Sequence, residues 1–405
     1  MQQDRSRSVI VAAVRTPVGK FGGAFRQLPA VGLGAAAIRA AVAQAAAESA
    51  SMEPAGLGAQ VDYVIMGHVL QAGTGQITAR QAAVAAGLPA EVPAITVNKV
   101  CLASLSAIAL ADQLIRAGEI EVAVAGGMES MSMAPFIIPR LRWGRQLGHD
   151  EVVDTLVHDG LWSSFTGQIM GESSDGLNAA FGISREAQDA WAARSHWRAA
   201  AARDSGRFSE EVVAVEAAPG SAAVDRDEGI RADTAEAALA RLAPAFSSGG
   251  TITAGNASQL SDGAAAVVVM NAGRAEALGI TPMAEILAHG MAAQQFSHLH
   301  TVPAVALQKA AKKAGVHPGD LGLVEINEAF ASVAIHSTRM LSIGEEVVNV
   351  NGGSVALGHA LGSTGARMVV TLLHEMRRRG TELGGVTLCG GGGQGDALVL
   401  RRDGI

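Results

Sequence analysis

The chain has 405 residues, enough for two or three ordinary domains. A net charge of −7 with no long basic run argues against nucleic-acid binding, and two cysteines cannot form a disulfide framework in so long a chain. Hydrophobic residues make up 49%, aromatics only 3%, and there are 49 glycines, so the core must bring helices and strands close together through Ala, Gly, Val and Leu, as in a large α/β protein.

The polar start, Met1 to Ser8, and the short apolar run Val9–Val14 lack the pattern of a signal peptide. No stretch of about 18 uninterrupted apolar residues marks a membrane span. The expectation is a cytoplasmic, reduced protein with both thiols free and no membrane partner. Val9–Val14 and Tyr63–Met66 read as buried strands. Leu102–Ala117 reads as a helix stopped by Gly118, and Val122–Ala125 as a strand running into a glycine turn at Gly126-Gly127. From Ser130 to Gly250 the texture changes: all four tryptophans (Trp143, Trp162, Trp191, Trp197), the cluster Arg140, Arg142 and Arg145, and many acids lie here. Ser184 caps a predicted helix running to about Arg203, with Glu186 in its first turn, and Pro219–Asp227 reads as loop. The C-terminal part repeats the earlier order: strand Leu323–Ile326, helix Ser363–Arg379 closed by Gly380, then strand Val386–Leu388 running into Cys389 and four glycines. That repetition points to an internal duplication around an inserted, partly surface-facing segment.

Four residues carry the chemistry. Cys101 stands where a strand meets the start of a helix, a place where unpaired N–H groups and the helix dipole lower a thiol's pKa from about 8.5; the alternative is a small buried hydrophobe. Cys389 opens Cys389-Gly390-Gly391-Gly392-Gly393-Gln394-Gly395. This run matches a dinucleotide fingerprint, but too little chain follows for the helix and second strand of that unit. Its glycines fit close backbone approach and N–H donation to an oxyanion. His359, in a glycine-rich turn before a helix, is placed to serve as a general base or as a satisfied loop histidine. Asn327 follows a buried strand, where its amide can hold a water, hold an oxyanion or cap the next helix. His298-x-His300 has no third ligand at metal spacing, and Asn256-Ala257-Ser258 is a glycosylation sequon in a chain read as cytoplasmic.

Several segments in order resemble the thiolase family over nearly the whole chain: Arg15-Thr16-Pro17 with Gly19-Lys20-Phe21-Gly22-Gly23; Gly126-Gly127-Met128-Glu129-Ser130-Met131-Ser132; Ala254-Gly255-Asn256-Ala257-Ser258 with Ser261-Asp262-Gly263; Asn327-Glu328-Ala329-Phe330; the Gly358-His359 turn; and the Cys389 glycine run. The resemblance implies a duplicated αβαβα layered fold. Its N-terminal half would cover residues 1–128 and 251–282, an inserted loop domain 129–250, and a C-terminal half 283–405, assembled as a homodimer or homotetramer. It implies Cys101 as the acylated nucleophile, His359 as its base, and Cys389 as the acid/base at the acetyl-CoA carbon. One oxyanion would be held by His359 and a water on Asn327, the other by the N–H groups of Cys101 and Gly391. Coenzyme A contacts fall on Arg231, Phe246, Ala254, Ser258, Leu260, Ala329 and Phe330, with Met170 near the acyl group. No permanently bound cofactor or metal is implied, only coenzyme A thioesters as substrates. Two thiols suit the reaction because storing an acyl group and moving a proton at carbon are separate tasks.

Four positions depart from the family pattern. Ala103-Ser104 replaces a Ser-Gly pair, His359-Ala360 a His-Pro, Ile169-Met170 a His-Met, and Phe296-Ser297-His298-Leu299-His300 a Met-Gly-rich loop. Met170 and the Met-Glu-Ser-Met-Ser segment favour acetoacetyl-CoA as substrate, and the apolar Ile169 keeps a longer 3-oxoacyl chain as the alternative. A ketoacyl synthase shares the fold but lacks the second cysteine, and a silent acyl-CoA binder needs neither thiol.

Overall fold

The computed structural model describes residues 7–49, 52–144 and 147–402; Met1–Ser6 and Arg145 of the sequence features above lie outside these. The first part comprises β1 (Ser8–Arg15), β2 (Gly19–Lys20), α1 (Ala30–Ala47), α2 (Pro54–Gly58), β3 (Tyr63–Gly67), α3 (Thr78–Ala85), β4 (Ala94–Val97), α4 (Ala103–Ala117) and β5 (Val122–Ser130). Short pieces follow: hairpin strands β6 (Phe136–Ile137) and β7 (Val153–Asp154), β8 (Trp162–Ser163) and β9 (Gln168–Ile169), helices α5 (Met170–Asn178) and α6 (Arg185–Asp204), strands β10 (Val215–Glu216) and β11 (Ala223–Val224), and α7 (Glu236–Leu239). The last part holds β12 (Ser261–Asn271), α8 (Ala272–Ala277), β13 (Ala284–Ala293), α9 (Val302–Ala314), β14 (Leu323–Ile326), α10 (Ala331–Leu341), α11 (Ser354–Leu357), α12 (Thr364–Arg379), β15 (Leu383–Gly390) and β16 (Gln394–Arg401).

The long strands form one mixed sheet in the order β14-β15-β16-β13-β1-β12-β5-β3-β4, with β2 on β12. The two halves of this sheet meet where β1 pairs with β13 at Val9 and Ile10. Alternate residues of one strand serve two different cores, as the two-residue period requires. In β12, Val267 and Val269 face the inner core while Val268 and Met270 face the layer of α1 and α3. In β16, Leu398 and Leu400 face the inner core while Ala397 and Val399 face α9 and α10. The inner core is filled by α4 and α12, through Leu105, Ile108, Met368 and Leu372. The result is the five-layered αβαβα arrangement.

Both inner helices end as the sequence foretold, at Gly118 and Gly380 with φ of 77° and 69°. The stretches Ala30–Ala47 and Val100–Ala117 are apolar and long enough to pass a compositional test for a membrane span. More than half of each is buried inside the fold, so core packing accounts for their composition.

Two turns differ from expectation. β5 does not end at Gly126-Gly127 but runs on to Ser130. A Cβ on Gly127 would sit 1.9 Å from the Gly362 carbonyl oxygen, and one on Gly126 2.1 Å from that of Ala265, so these glycines admit neighbouring backbone and make no turn. Likewise Cys389 and Gly390 belong to β15, and the reversal is at Gly391–Gly393, where Gly392 and Gly393 have φ of 77° and 68°. In the middle segment α6 starts at the Ser184 cap, whose side chain accepts from the Ala187 N–H. Its Trp191 is buried and donates to Glu328, whereas Trp143 and Trp197 are exposed. Part of Pro219–Asp227, taken as loop, is strand β11 paired with β10.

Candidate active site

Cys101 is presented by a strained turn. After β4, the Asn98 Oδ1 accepts from the Val100 N–H at 3.0 Å, and Val100 takes φ of 51°. A β-branched residue there costs of order 1–3 kcal/mol, so the surrounding structure over-determines the turn. The amides of Leu102 and Ala103 donate back to the carbonyls of Lys99 and Val100. They are therefore committed to the turn, and the thiol is left buried. Burial pushes the Cys101 thiol well above its ordinary range, with Cys389 and Glu129 nearby adding to the rise. The expectation of a lowered thiol pKa at a helix start is thus overturned: desolvation outweighs the helix start and the Cys101 N–H that favours the thiolate.

His359 answers this. Its amide donates to the Gln259 carbonyl at 2.9 Å, and its ring spans two partners, Thr364 Oγ1 at 2.7 Å from Nδ1 and Cys101 Sγ at 3.2 Å from Nε2. The Thr364 hydroxyl donates its single proton to the Ala360 carbonyl at 2.8 Å. It must therefore accept from Nδ1–H, which leaves Nε2 bare and facing the thiol. Burial, with the Arg367 charge second, lowers the imidazole to about 3. The resting pair is a neutral thiol and a neutral base.

Cys389 is buried in β15 and pushed up to about 12 by desolvation. It opens on the same cavity as Cys101 and His359, a space of about 430 Å³. Met170, Phe246, Ala254, Ser258, Leu260, Ala329 and Phe330 also line it. Three expected residues do not. Arg231 is exposed, with its amide tied to His196 Nδ1 at 3.2 Å. Gly391 is half-buried one residue beyond the lining Gly390, and a Cβ on it would lie 3.4 Å from Val100. Asn327 is buried: its Oδ1 accepts from Ser354 Oγ at 2.6 Å, and its Nδ2 has no protein partner. It does not cap α10, whose preceding residue is Phe330, so that alternative falls away. Sequence reasoning missed Leu161, Leu361 and Gln259 on the cavity wall and the Thr364 tether. Only Thr364 left a readable sign, a hydroxyl residue at the helix start after the histidine.

The N-terminal thiolase domain profile matches residues 8–273 and the C-terminal one residues 280–402. The chain belongs to the thiolase family. It is 51% identical to a probable acetyl-CoA acetyltransferase of Mycolicibacterium smegmatis over 97% of this chain and 100% of that protein. It is 47% identical to the acetyl-CoA acetyltransferase of Pseudomonas aeruginosa, covering 98% of this chain and 99% of the relative. The crystal structure of the Bacillus anthracis acetyl-CoA acetyltransferase superposes with a TM-score of 0.93 at 39% identity, covering 98% and 99% of the two chains.

In this thiolase the four departures have distinct settings. Ser104 is buried and accepts from the Ala366 N–H at 3.0 Å, joining α4 to α12. The Ala360 carbonyl takes the Thr364 proton that fixes the His359 tautomer. Ile169 lies on the cavity beside Leu161, Met170 and Leu299. Phe296 stacks on Phe165, with centroids 4.3 Å apart and planes 12° apart, both rings about half exposed. His300 is buried with Nε2 at 2.9 Å from Asn178 Oδ1, so it serves packing rather than presenting a ligand pair with His298.

Proposed function

We propose that this thiolase is an acetyl-CoA acetyltransferase, condensing two acetyl-CoA to acetoacetyl-CoA and coenzyme A and running the reverse cleavage. The observation that carries the reading is the bare His359 Nε2 at 3.2 Å from Cys101, with Cys389 on the same cavity. In cleavage, the Cys101 sulfur attacks the 3-oxo carbon while its proton passes to His359. The C2–C3 bond breaks, and the departing acetyl-CoA enolate takes the Cys389 proton. The Cys389 thiolate then deprotonates coenzyme A, whose thiolate attacks acyl-Cys101; the released sulfur recovers its proton from His359. Condensation is the same sequence reversed. Two protonated resting thiols suit this, because each begins as a proton donor. A water on Asn327 with His359 would hold one oxyanion, and the N–H groups of Cys101 and Gly391 the other. Arg231, exposed and cationic, would meet the nucleotide end of coenzyme A, while Phe246, Ala254, Ser258, Leu260, Ala329 and Phe330 cover its pantetheine arm. The test is coenzyme A-dependent cleavage of acetoacetyl-CoA by purified protein; no cleavage would refute the proposal.

A second reading, a degradative thiolase for longer 3-oxoacyl chains, is favoured by the apolar end of the cavity at Leu161, Ile169 and Leu299. Comparing specificity constants for four-, six-, eight- and ten-carbon substrates separates the two: a peak at eight or ten carbons selects the longer-chain enzyme. We further infer a homodimer or homotetramer built through the first half, residues 1–128 and 251–282. The edge strand β4 exposes Ile95, and the insert 129–250 exposes Phe136, Leu141, Trp143 and Leu147. Light scattering giving a monomer would reject this assembly. Two reduced thiols fit a cytoplasmic setting.

A further inference from the structure

Outside the cavity, a chain of buried groups ends on the free Asn327 amide. Glu325, in β14, accepts from Arg367 Nη1 at 3.2 Å. Arg367, in α12, also donates from Nη2 to the Ser354 Oγ at 3.0 Å. Ser354 Oγ in turn lies 2.6 Å from Asn327 Oδ1. All four side chains are buried.

Donor and acceptor counting fixes the direction of this chain. A guanidinium can only donate, so Arg367 must occupy an acceptor site of the Ser354 oxygen. The hydroxyl has one proton, and it is directed at Asn327. With the amide oxygen facing Ser354 that proton is accepted at 2.6 Å; turned over, the amide would leave it with no acceptor among the described residues. The nitrogen Nδ2 is turned away, and it is a buried side-chain donor with no protein partner. An orphaned buried donor costs roughly 1–3 kcal/mol, so it persists where a bound group or water uses it. Its place agrees: the Asn327 backbone N–H donates to the Thr387 carbonyl, two residues before Cys389, and Ser354 stands five residues before His359.

We propose that Ser354 and Arg367 are positioning residues that lock the Asn327 carboxamide with Nδ2 toward the reacting thioester. The inference rests on the acetyltransferase reading above. Without the Ser354 hydroxyl, the direct contact that selects the oxygen over the nitrogen is gone. Arg367 would then present its own N–H groups there, which repel an NH2 and attract an oxygen only across a longer gap. The amide is free to rotate, and its donor is lost from the site for part of the time.

The experiment measures coenzyme A-dependent cleavage of acetoacetyl-CoA by full-length wild type, Asn327→Ala, Ser354→Ala and the double variant. Ser354→Cys, nearly isosteric but a weak donor, serves as a second variant should Ser354→Ala fail to fold. Removing a preorganised oxyanion donor lowers kcat about 100-fold or more, so Asn327→Ala is expected in that range and either Ser354 variant at about tenfold, with KM for coenzyme A within about twofold. On the Asn327→Ala background Ser354→Ala should add nothing beyond about twofold, because its effect runs only through the amide. A tenfold loss that multiplies with Asn327→Ala, or Ser354 variants as active as an active wild type, would overturn the positioning role alone. A wild type that does not cleave acetoacetyl-CoA would overturn the functional reading and this inference with it.

Discussion

The two halves of the molecule build the same junction and use it differently. In each, a parallel strand pair leads through a tight turn into an inner helix: β4 through Val100 and Cys101 into α4, and the Val348 bridge to β14 through Gly358 and His359 into α12. The first junction is short, held by Asn98, and forces a β-branched residue to φ of 51°. The second is longer and glycine-rich; a Cβ on Gly358 would lie 2.2 Å from Ser261 Oγ, and its φ is 109°. Strain at the first fixes a small thiol, the proposed nucleophile, with no freedom to retreat. Space at the second admits an imidazole and a threonine that sets its tautomer. A duplicated scaffold thus supplies one rigid point and one adjustable ring, which meet at 3.2 Å.

Breaking either point should have the largest effects. Cys101→Ala should bring turnover to background, and His359→Asn, which keeps the shape but not the base, should lower kcat by about 10²–10⁴, the usual worth of a positioned general base. Cleavage of acetoacetyl-CoA followed by thioester absorbance measures both. A His359→Asn enzyme within threefold of wild type would mean that Cys101 is activated by something other than the second junction.

Cys389 separates the tasks further. In Cys389→Ser, condensation should fall about 100-fold because a hydroxyl is a poor acid and base at neutral pH, while Cys101 still becomes acylated. Deuterium exchange at the acetyl methyl of acetyl-CoA reports it: exchange at the wild-type rate would remove Cys389 from proton transfer.

Much of this frame was legible in the chain itself. Leu102–Ala117 and Ser363–Arg379 announce two inner helices by their periodicity and closing glycines, and Cys101, His359 and Cys389 announce themselves by type and turn. Their protonation states did not, because a thiol's pKa depends on how much protein lies above it and on which carbonyls the nearby amides have already found. The glycines at 126 and 127 misled for a related reason: close backbone approach from Gly362 and Ala265 leaves no mark in local sequence. Thr364 and Ser354 act through partners distant in the turn or the chain, and their hydroxyls read locally as helix-start residues.

A smaller effect should come from the rim. Phe165 and Phe296 are exposed yet stacked, and they join the β8–β9 hairpin, which carries Ile169, to the loop carrying Leu299. Phe165 also covers the turn after Cys389, lying 3.1 Å from where a Gly392 Cβ would be. Replacing both by alanine should loosen the outer acyl wall. Each methylene that then finds apolar cover contributes about 0.8 kcal/mol, roughly fourfold in specificity constant. Six- and eight-carbon substrates should gain relative to acetoacetyl-CoA; an unchanged ratio would show that the stack does not bound the acyl site.

The smallest effect concerns stability. Burial lowers His68 and His196 to about 4 and His300 and His359 to about 3. Below about pH 6.5 the unfolded chain takes up these protons first, so folding stability falls as pH falls toward the folded values. Glu129, pushed up to about 7, acts oppositely, favouring the folded state as pH falls until the unfolded carboxylate titrates near 4.5. The urea midpoint should therefore decline gently from pH 6.5 to 4.5 and steeply below. A flat profile to pH 4 would show that burial does not hold these four imidazoles neutral.

On the proposed mechanism the acyl group rides on the strained junction of the first half. Incubating the enzyme with acetyl-CoA, quenching in acid, digesting and locating the added acetyl mass tests it directly. The acetyl group is expected on the peptide containing Cys101, in wild type and in Cys389→Ser alike, and is expected to be absent from Cys101→Ala. Label found mainly on the Cys389 peptide would contradict it.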